Sequence, residues 1–293
     1  MKSTTVACRG LLICLATLLL NGPPPTASGD DGKAIRLIVR GDDIGSSQAA
    51  NEACIRCYRE GIVRSVEVMV AAPWFPHAAR LLRENPGLDV GVHLTLTSEW
   101  ESIKWGPLTE APSLVDKQGH FYPMTSQRDD FPPGTGFLEA RPKPDEVERE
   151  LRAQIELAQR ELPRVTHLSA HMGTATCTPE LKQIVTKLAA EYRLPLEAPG
   201  VRYAPPFGGS EASAEKKTDN LVSLIEKLEP GTWVIIEHPG LDTPEMRAIG
   251  HKGYENVAAD RMGVTAAFTS PRVKEVIERR QIELTSYGDV IGK

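Results

Sequence analysis

Apolar and polar residues follow two different periods along this chain, and the switches between them mark its elements. Short apolar or period-two runs at 36–39, 62–70, 88–96, 165–170, 194–197, 233–237 and 282–286 predict strands. Between them, the patterns at 48–59, 76–84, 145–161, 179–192, 220–228 and 272–280 predict helices. In "PELKQIVTKLAAEY", Leu181, Ile184, Val185 and Leu188 recur at helical spacing, behind Thr178 as N-cap and Pro179 in the first turn. Gly61, after "CYRE", suits a helix stop.

Repeating strand–helix units imply a mainly parallel sheet with helices outside it. The reading is α/β: a single distorted TIM-like (β/α) barrel of about seven parallel strands, its active site at the C-terminal strand ends. An open doubly wound sheet is the alternative. Two segments break the alternation, 97–144 and 199–217, both rich in Pro and Gly. Each follows a strand candidate, so a barrel would carry both on its C-terminal face. A segment as long as the first is usually a lid or a substrate wall.

Composition adds a leader and removes a partner class. Lys2 and Arg9 precede a short apolar run from Leu11 to Leu20, and Ala27 and Gly29 precede Asp30. That order predicts a secretory signal peptide over residues 1–29, followed by one domain at 30–293 and an exported, periplasmic or extracellular protein. The apolar run is too short to span a bilayer, so no stable membrane insertion follows cleavage. About 260 residues remain, the size of one α/β barrel. Net charge is −5 with both signs interspersed, which argues against a nucleic-acid partner. Cys54, Cys57 and Cys177 do not form the even, spaced set of a disulfide framework, and Cys54 and Cys57 read as small buried side chains.

Candidate chemistry gathers where strands end. "IRLIVRGDDIGSS" closes an apolar strand on Asp42 and Asp43; by itself Asp-Asp-x-Gly reads as a turn. In "LDVGVHLTLT", His93 shares its face with Asp89, Gly91, Thr95 and Thr97, opposite Val90, Val92 and Leu94. "VTHLSAHMG" places His171 at another strand end, and "TWVIIEHPG" places His238 at a fourth. One carboxylate and two imidazoles make an open metal site; a second carboxylate beside it suits a general base. A divalent ion also relieves the repulsion between adjacent aspartates. His77, His120 and His251 lack such placement and are assigned no role.

Taken in order, "LIVRGDDIGSSQAANEACIRCYREGIVRSVEVMV", "NPGLDVGVHLTLT", "THLSAH" and "EHPG" resemble the YdjC/ChbG-type carbohydrate deacetylases. The resemblance implies a distorted TIM-like barrel that removes acetyl groups from N-acetylated sugars with a divalent metal ion, Zn or Mg. It assigns Asp43, His93 and His171 to the metal, Asp42 to the general base, and His238 to protonation of the leaving amine. The implied partner is an acetylated oligosaccharide or polysaccharide, and a homodimer is left open. Trp100, Trp105, Phe121 and Tyr122 are then candidates for stacking on sugar rings.

Two departures from the family pattern stand out. Arg40-Gly41 replaces Asn-Ala before the aspartates, and Ser169-Ala170 replaces Asp-Ser before His171. The second implies a missing carboxylate behind a ligand histidine, a loss that typically costs about 10–100-fold in affinity or activity. An O-acetyl esterase, a NodB-like deacetylase and a glycan-binding protein with a decayed site are the competing readings.

Overall fold

In the computed structural model, which describes residues 34–196 and 198–292, strand β1 (Ile35–Ile44) is the middle of a seven-stranded sheet. The others are β2 (Ser65–Val68), β3 (Asp89–Leu94), β4 (His167–Ala170), β5 (Val201–Tyr203), β6 (Gly231–Glu237) and β7 (Glu283–Thr285). Their order is β4-β3-β2-β1-β6-β5, every pairing is parallel, and β7 also pairs with β1. Because β6 runs along one edge of β1, β7 at Arg36–Ile38 and β2 from Arg40 onward share the other edge. Among the described residues β4 and β5 do not pair, so the barrel is distorted and open there.

Of the strand expected at 194–197, the described residues 194–196 form none. Leu168 N donates to Pro195 O at 3.0 Å, so this segment runs beside β4. Pro195 has no N–H to return, and a regular ladder needs one. The strand of this unit is β5, within the segment 199–217. The expected leader, residues 1–29, lies outside the described residues.

Nine helices of the described residues connect and cover the strands: α1 (Gln48–Arg59), α2 (Phe75–Arg83), α3 (Pro144–Glu161), α4 (Pro179–Tyr192), α5 (Ala214–Glu226), α6 (Pro244–Arg247), α7 (Val257–Thr269), α8 (Pro271–Arg279) and α9 (Tyr287–Val290). Thr178 caps α4 by accepting from Leu181 N, as its sequence predicted. Helix α7 carried no usable period. It packs against α5, α1 and α8, and Val257, Ala258, Val264, Thr265, Ala267 and Phe268 are all buried, so its apolar residues form no stripe. No helix among the described residues is long and apolar enough to cross a membrane.

The pleat of β1 divides its side chains. Leu37 and Val39 join the large cluster under the helices; Ile38 faces the other way, onto Val234 and Tyr287. Burying one such side chain contributes about 2 kcal/mol. Further up the inner face, Arg40, Glu67 and His167 replace apolar residues, so the end nearest the aspartates has a polar interior.

Between β3 and α3 the long segment folds as a docked loop. Trp100, Trp105, Leu114, Phe121 and Phe137 are buried in its base, and Tyr122 packs against the core. Three of the four aromatic rings expected to face a sugar are thus structural. His251 stacks on Trp100 at 5.5 Å between ring centroids. Cys54 and Cys57 are buried, Cys177 is exposed and all three are free thiols. Burial pushes Cys57 up to about 12 and Cys54 upward as well, so both are inert packing groups.

Candidate metal centre and active site

Two adjacent residues in a regular strand point to opposite faces, yet Asp42 and Asp43 both approach His93. The register of β1 against β2 shifts between Gly41 and Ile44, and Asp43 has φ 69°. This left-handed residue in a bulge turns its side chain to the same mouth as Asp42. Aspartate tolerates that conformation better than most residues, and such strain gathers at functional sites. Gly45 follows at φ 107°, where an added Cβ would lie 2.7 Å from Met69 O, so glycine is required there. The turn reading of Asp-Asp-x-Gly and the site reading therefore hold together.

His93 Nε2 lies 3.6 Å from Asp43 Oδ1 and 3.8 Å from Asp42 Oδ2. His171 Nδ1 lies 3.2 Å from Asp43 Oδ1. The ligand atoms of Asp43, His93 and His171 all fall within 4.8 Å of one another, and all three residues are buried. Asp43 Oδ1 nevertheless has no hydrogen-bond partner. Three donors about 2.1 Å from one tetrahedral ion stand roughly 3.4 Å apart, close to the two separations measured here. A buried carboxylate oxygen without a hydrogen bond, facing two imidazole nitrogens at that spacing, fits a divalent ion.

The ring nitrogens turned away from this point are held by other side chains. His171 Nε2 donates to Glu99 Oε2 at 3.0 Å. His93 Nδ1 meets Ser169 Oγ at 2.7 Å, and that hydroxyl bonds to Glu67 Oε2. His167 Nε2 lies 2.6 Å from Glu67 Oε1. Ser169 thus stands behind His93, not His171, and each of the two histidines reaches a carboxylate. The missing carboxylate implied by the sequence is a correction: Glu99 and Glu67 occupy those roles from other parts of the chain.

Electrostatics divide the two histidines. Burial lowers His93 to about 4 despite the nearby aspartates, leaving it neutral at physiological pH. Burial also opposes charge on His171, but Glu99 and Asp43 outweigh it and raise the group to about 10. Without an ion His171 is an imidazolium between two carboxylates; an ion at Nδ1 would displace that proton. Burial alone would raise Asp43, but His238, Arg261 and His171 hold it well below the usual carboxylate range. The register of β6 on β1 pairs Gly41 with Glu237, so half-buried His238 follows at the same strand end as Asp42.

Arginines fix both aspartates. Arg261 Nη2, on α7, donates to Asp43 Oδ2 at 2.8 Å and leaves Oδ1 free. Arg40 forks onto Asp42, with Nε to Oδ1 at 2.7 Å and Nη2 to Oδ2 at 2.8 Å. All five site residues expected from the sequence therefore meet at one mouth. Glu67, Glu99 and Arg261 were missed as members of it. Glu67 had a signal, a charge amid the valines of "SVEVMV", and so had Arg261, a lone cation in the apolar "VAADRMGVTAAF". Glu99 lies on the loop and had none.

Known proteins share this arrangement of chain. A carbohydrate deacetylase of Brevibacillus brevis is 30% identical over 275 residues, which cover 87% of this chain and all of the relative. A carbohydrate deacetylase of Thermus thermophilus is 33% identical over 239 residues, 73% of this chain and 80% of the relative. A crystal structure from Enterococcus faecalis V583, of a protein whose description names cellobiose-phosphate cleavage, has the same fold, with a TM-score of 0.69, 24% identity, and coverage of 88% of this chain and 99% of that one. The family model for YdjC-like proteins matches residues 36–279, and the chain belongs to that family.

Proposed function

We propose that this protein is a hydrolase that removes acetyl groups from N-acetylated amino sugars or oligosaccharides, using a divalent ion held by Asp43, His93 and His171. The observation that carries the reading is Asp43 Oδ1, which has no hydrogen bond and faces both imidazoles. The deacetylase relatives support the reaction class. Two imidazoles favour zinc over magnesium. When bound, such an ion supplies Lewis-acid polarisation of the acyl oxygen and eases deprotonation of water.

The chain's own residues divide the remaining work. Asp42 takes a proton from the attacking water, whose oxygen adds to the acetyl carbon. His238 gives a proton to the nitrogen as the C–N bond breaks, so acetate and a free amine leave. Arg261 keeps Asp43 charged and turned outward. Export through residues 1–29 belongs to the proposal and is supported by Lys2, Arg9 and the apolar run after them. Finding the protein in the cytoplasmic fraction alone would remove that part.

The test is acetate release from N- and O-acetylated oligosaccharides, with protein stripped of metal and reloaded with Zn, Mg, Mn or Co. Release is expected to depend on metal. Asp42→Asn should lower it by about 10²–10⁴-fold while metal still binds, and His93→Ala should abolish both. One observation favours a second reading. Both oxygens of Asp42 are engaged by Arg40 and already accept a hydrogen bond, which suits a glycan-binding protein that holds metal without turnover. Metal binding with no release from any substrate would move the conclusion there.

A further inference from the structure

We infer that Glu67, acting through the hydroxyl of Ser169, sets the tautomer of His93, and that Arg40 balances the buried charge this needs. The inference rests on the proposed metal reading only in what the tautomer is for. Hydrogen-bond accounting carries the rest. Glu67 is fully buried, and although burial opposes its charge, His167 and Arg40 hold it down at about 2, so it is a carboxylate that only accepts. Ser169 must therefore spend its single proton on Glu67 Oε2. Its oxygen is left as an acceptor for His93, whose Nδ1 must carry the ring proton. With the proton on Nδ1, Nε2 is the ring nitrogen left to face Asp43 Oδ1, at 3.6 Å.

The sheet is built around this path. Glu67 on β2, Gly91 on β3 and His167 on β4 lie side by side in register, with His93 beside Ser169 one inward position further up. A Cβ at Gly91 would lie 2.3 Å from Glu67 Oε2 and 2.6 Å from His167 Nε2. The glycine thus opens the gap that Glu67 crosses. Arg40 Nε lies 3.8 Å from Glu67 Oε1 while the guanidinium also grips Asp42. One cation therefore serves both carboxylates, and a buried carboxylate without such a partner would be costly. Glu67 and Ser169 touch no reacting atom and are positioning residues; Arg40 in addition holds both oxygens of Asp42.

Two readouts test the inference in the full-length protein. Long-range ¹H–¹⁵N spectra of metal-free, ¹⁵N-histidine-labelled protein report the tautomer, and chelator competition reports zinc affinity. In the native protein His93 should be protonated at Nδ1. Ser169→Ala should mix the tautomers and weaken zinc by about 10–100-fold, while Ser169→Thr, which keeps the hydroxyl, should retain both native values. Glu67→Gln should match Ser169→Ala, and Ser169→Asp in the Glu67→Gln background should recover affinity by bringing a carboxylate directly to Nδ1. Thermal melts identify any variant that does not fold, in which case the Ser169→Ala and Ser169→Thr pair decides. A folded Ser169→Ala protein with native tautomer and undiminished zinc affinity would overturn the inference. A native protein that binds no zinc but loses its tautomer in Ser169→Ala would support the inference and overturn the metal reading instead.

Discussion

Arg261 leaves Asp43 with one oxygen occupied and one exposed to the two histidines, and this asymmetry matters more than the presence of the charge. Removing one partner of a buried ion pair typically costs about 3–5 kcal/mol, because the other is left uncompensated. Arg261→Met should therefore lower stability to urea by that order when metal is absent. Saturating zinc should restore part of the loss, since an ion bound only to the folded state stabilises it. Equal loss with and without zinc would mean that Asp43 is not where the ion sits. Asp42 and Asp43 were legible in the sequence because two carboxylates at a strand end are conspicuous. Arg261 stood out as a lone cation, but its partner was not legible, because nothing in the sequence aligns position 261 with position 43.

At the scale of elements, helix α3 governs the long loop as much as the sheet. Glu150 accepts from Leu108 N at 3.1 Å, Thr109 N at 3.0 Å and Thr109 Oγ1 at 2.8 Å. Glu146 accepts from Ser113 N and its hydroxyl, and Gln154 exchanges two hydrogen bonds with the Thr95 backbone. These side chains do for the loop what a ladder does for a strand. Glu99, which holds His171, lies on that same loop, so its docking bears on the site. Glu150→Ala should cost about 1–3 kcal/mol in all, since it removes the acceptor of three part-buried donors and of the buried Gln154 Nε2. It should also speed proteolysis around residues 108–113 while far-ultraviolet circular dichroism stays native. Unchanged cleavage would show that the buried tryptophans alone dock the segment. The helical pattern of α3 could be read from its sequence, but no local signal marks the acids at 146 and 150 as buried.

For the whole molecule, the charged layer outside β6 links stability to pH. Burial pushes Glu237 up to about 7, with Lys217 opposing and Asp260 reinforcing the shift. Lys217 is buried and pairs with Asp260 at 2.8 Å. A carboxyl raised in the folded state binds more protons than in the unfolded chain, so stability falls as pH rises between about 4.5 and 7. Each unit of such a shift is worth about 1.4 kcal/mol. Glu237→Gln removes the titration, so its melting temperature should gain on the native protein across that window and hold a constant lead above it. Parallel curves for the two proteins would overturn this assignment.

The sequence by itself determined the α/β alternation, most of the strands and the strand-end positions of Asp42, Asp43, His93, His171 and His238. These rest on local periods and on residue types that are costly to bury without a purpose. Tertiary structure decided the rest. The bulge and left-handed φ at Asp43 swing two neighbouring carboxylates to one mouth, against the alternation a strand would impose. Helix α7 hid its period because it is covered on several sides, and Pro195 kept a strand-like segment from forming a ladder. The partners of the site histidines, Glu67 and Glu99, are separated from them by neighbouring strands and a folded loop. Side-chain hydrogen bonds between such elements leave no local period, so only the packed fold reveals them.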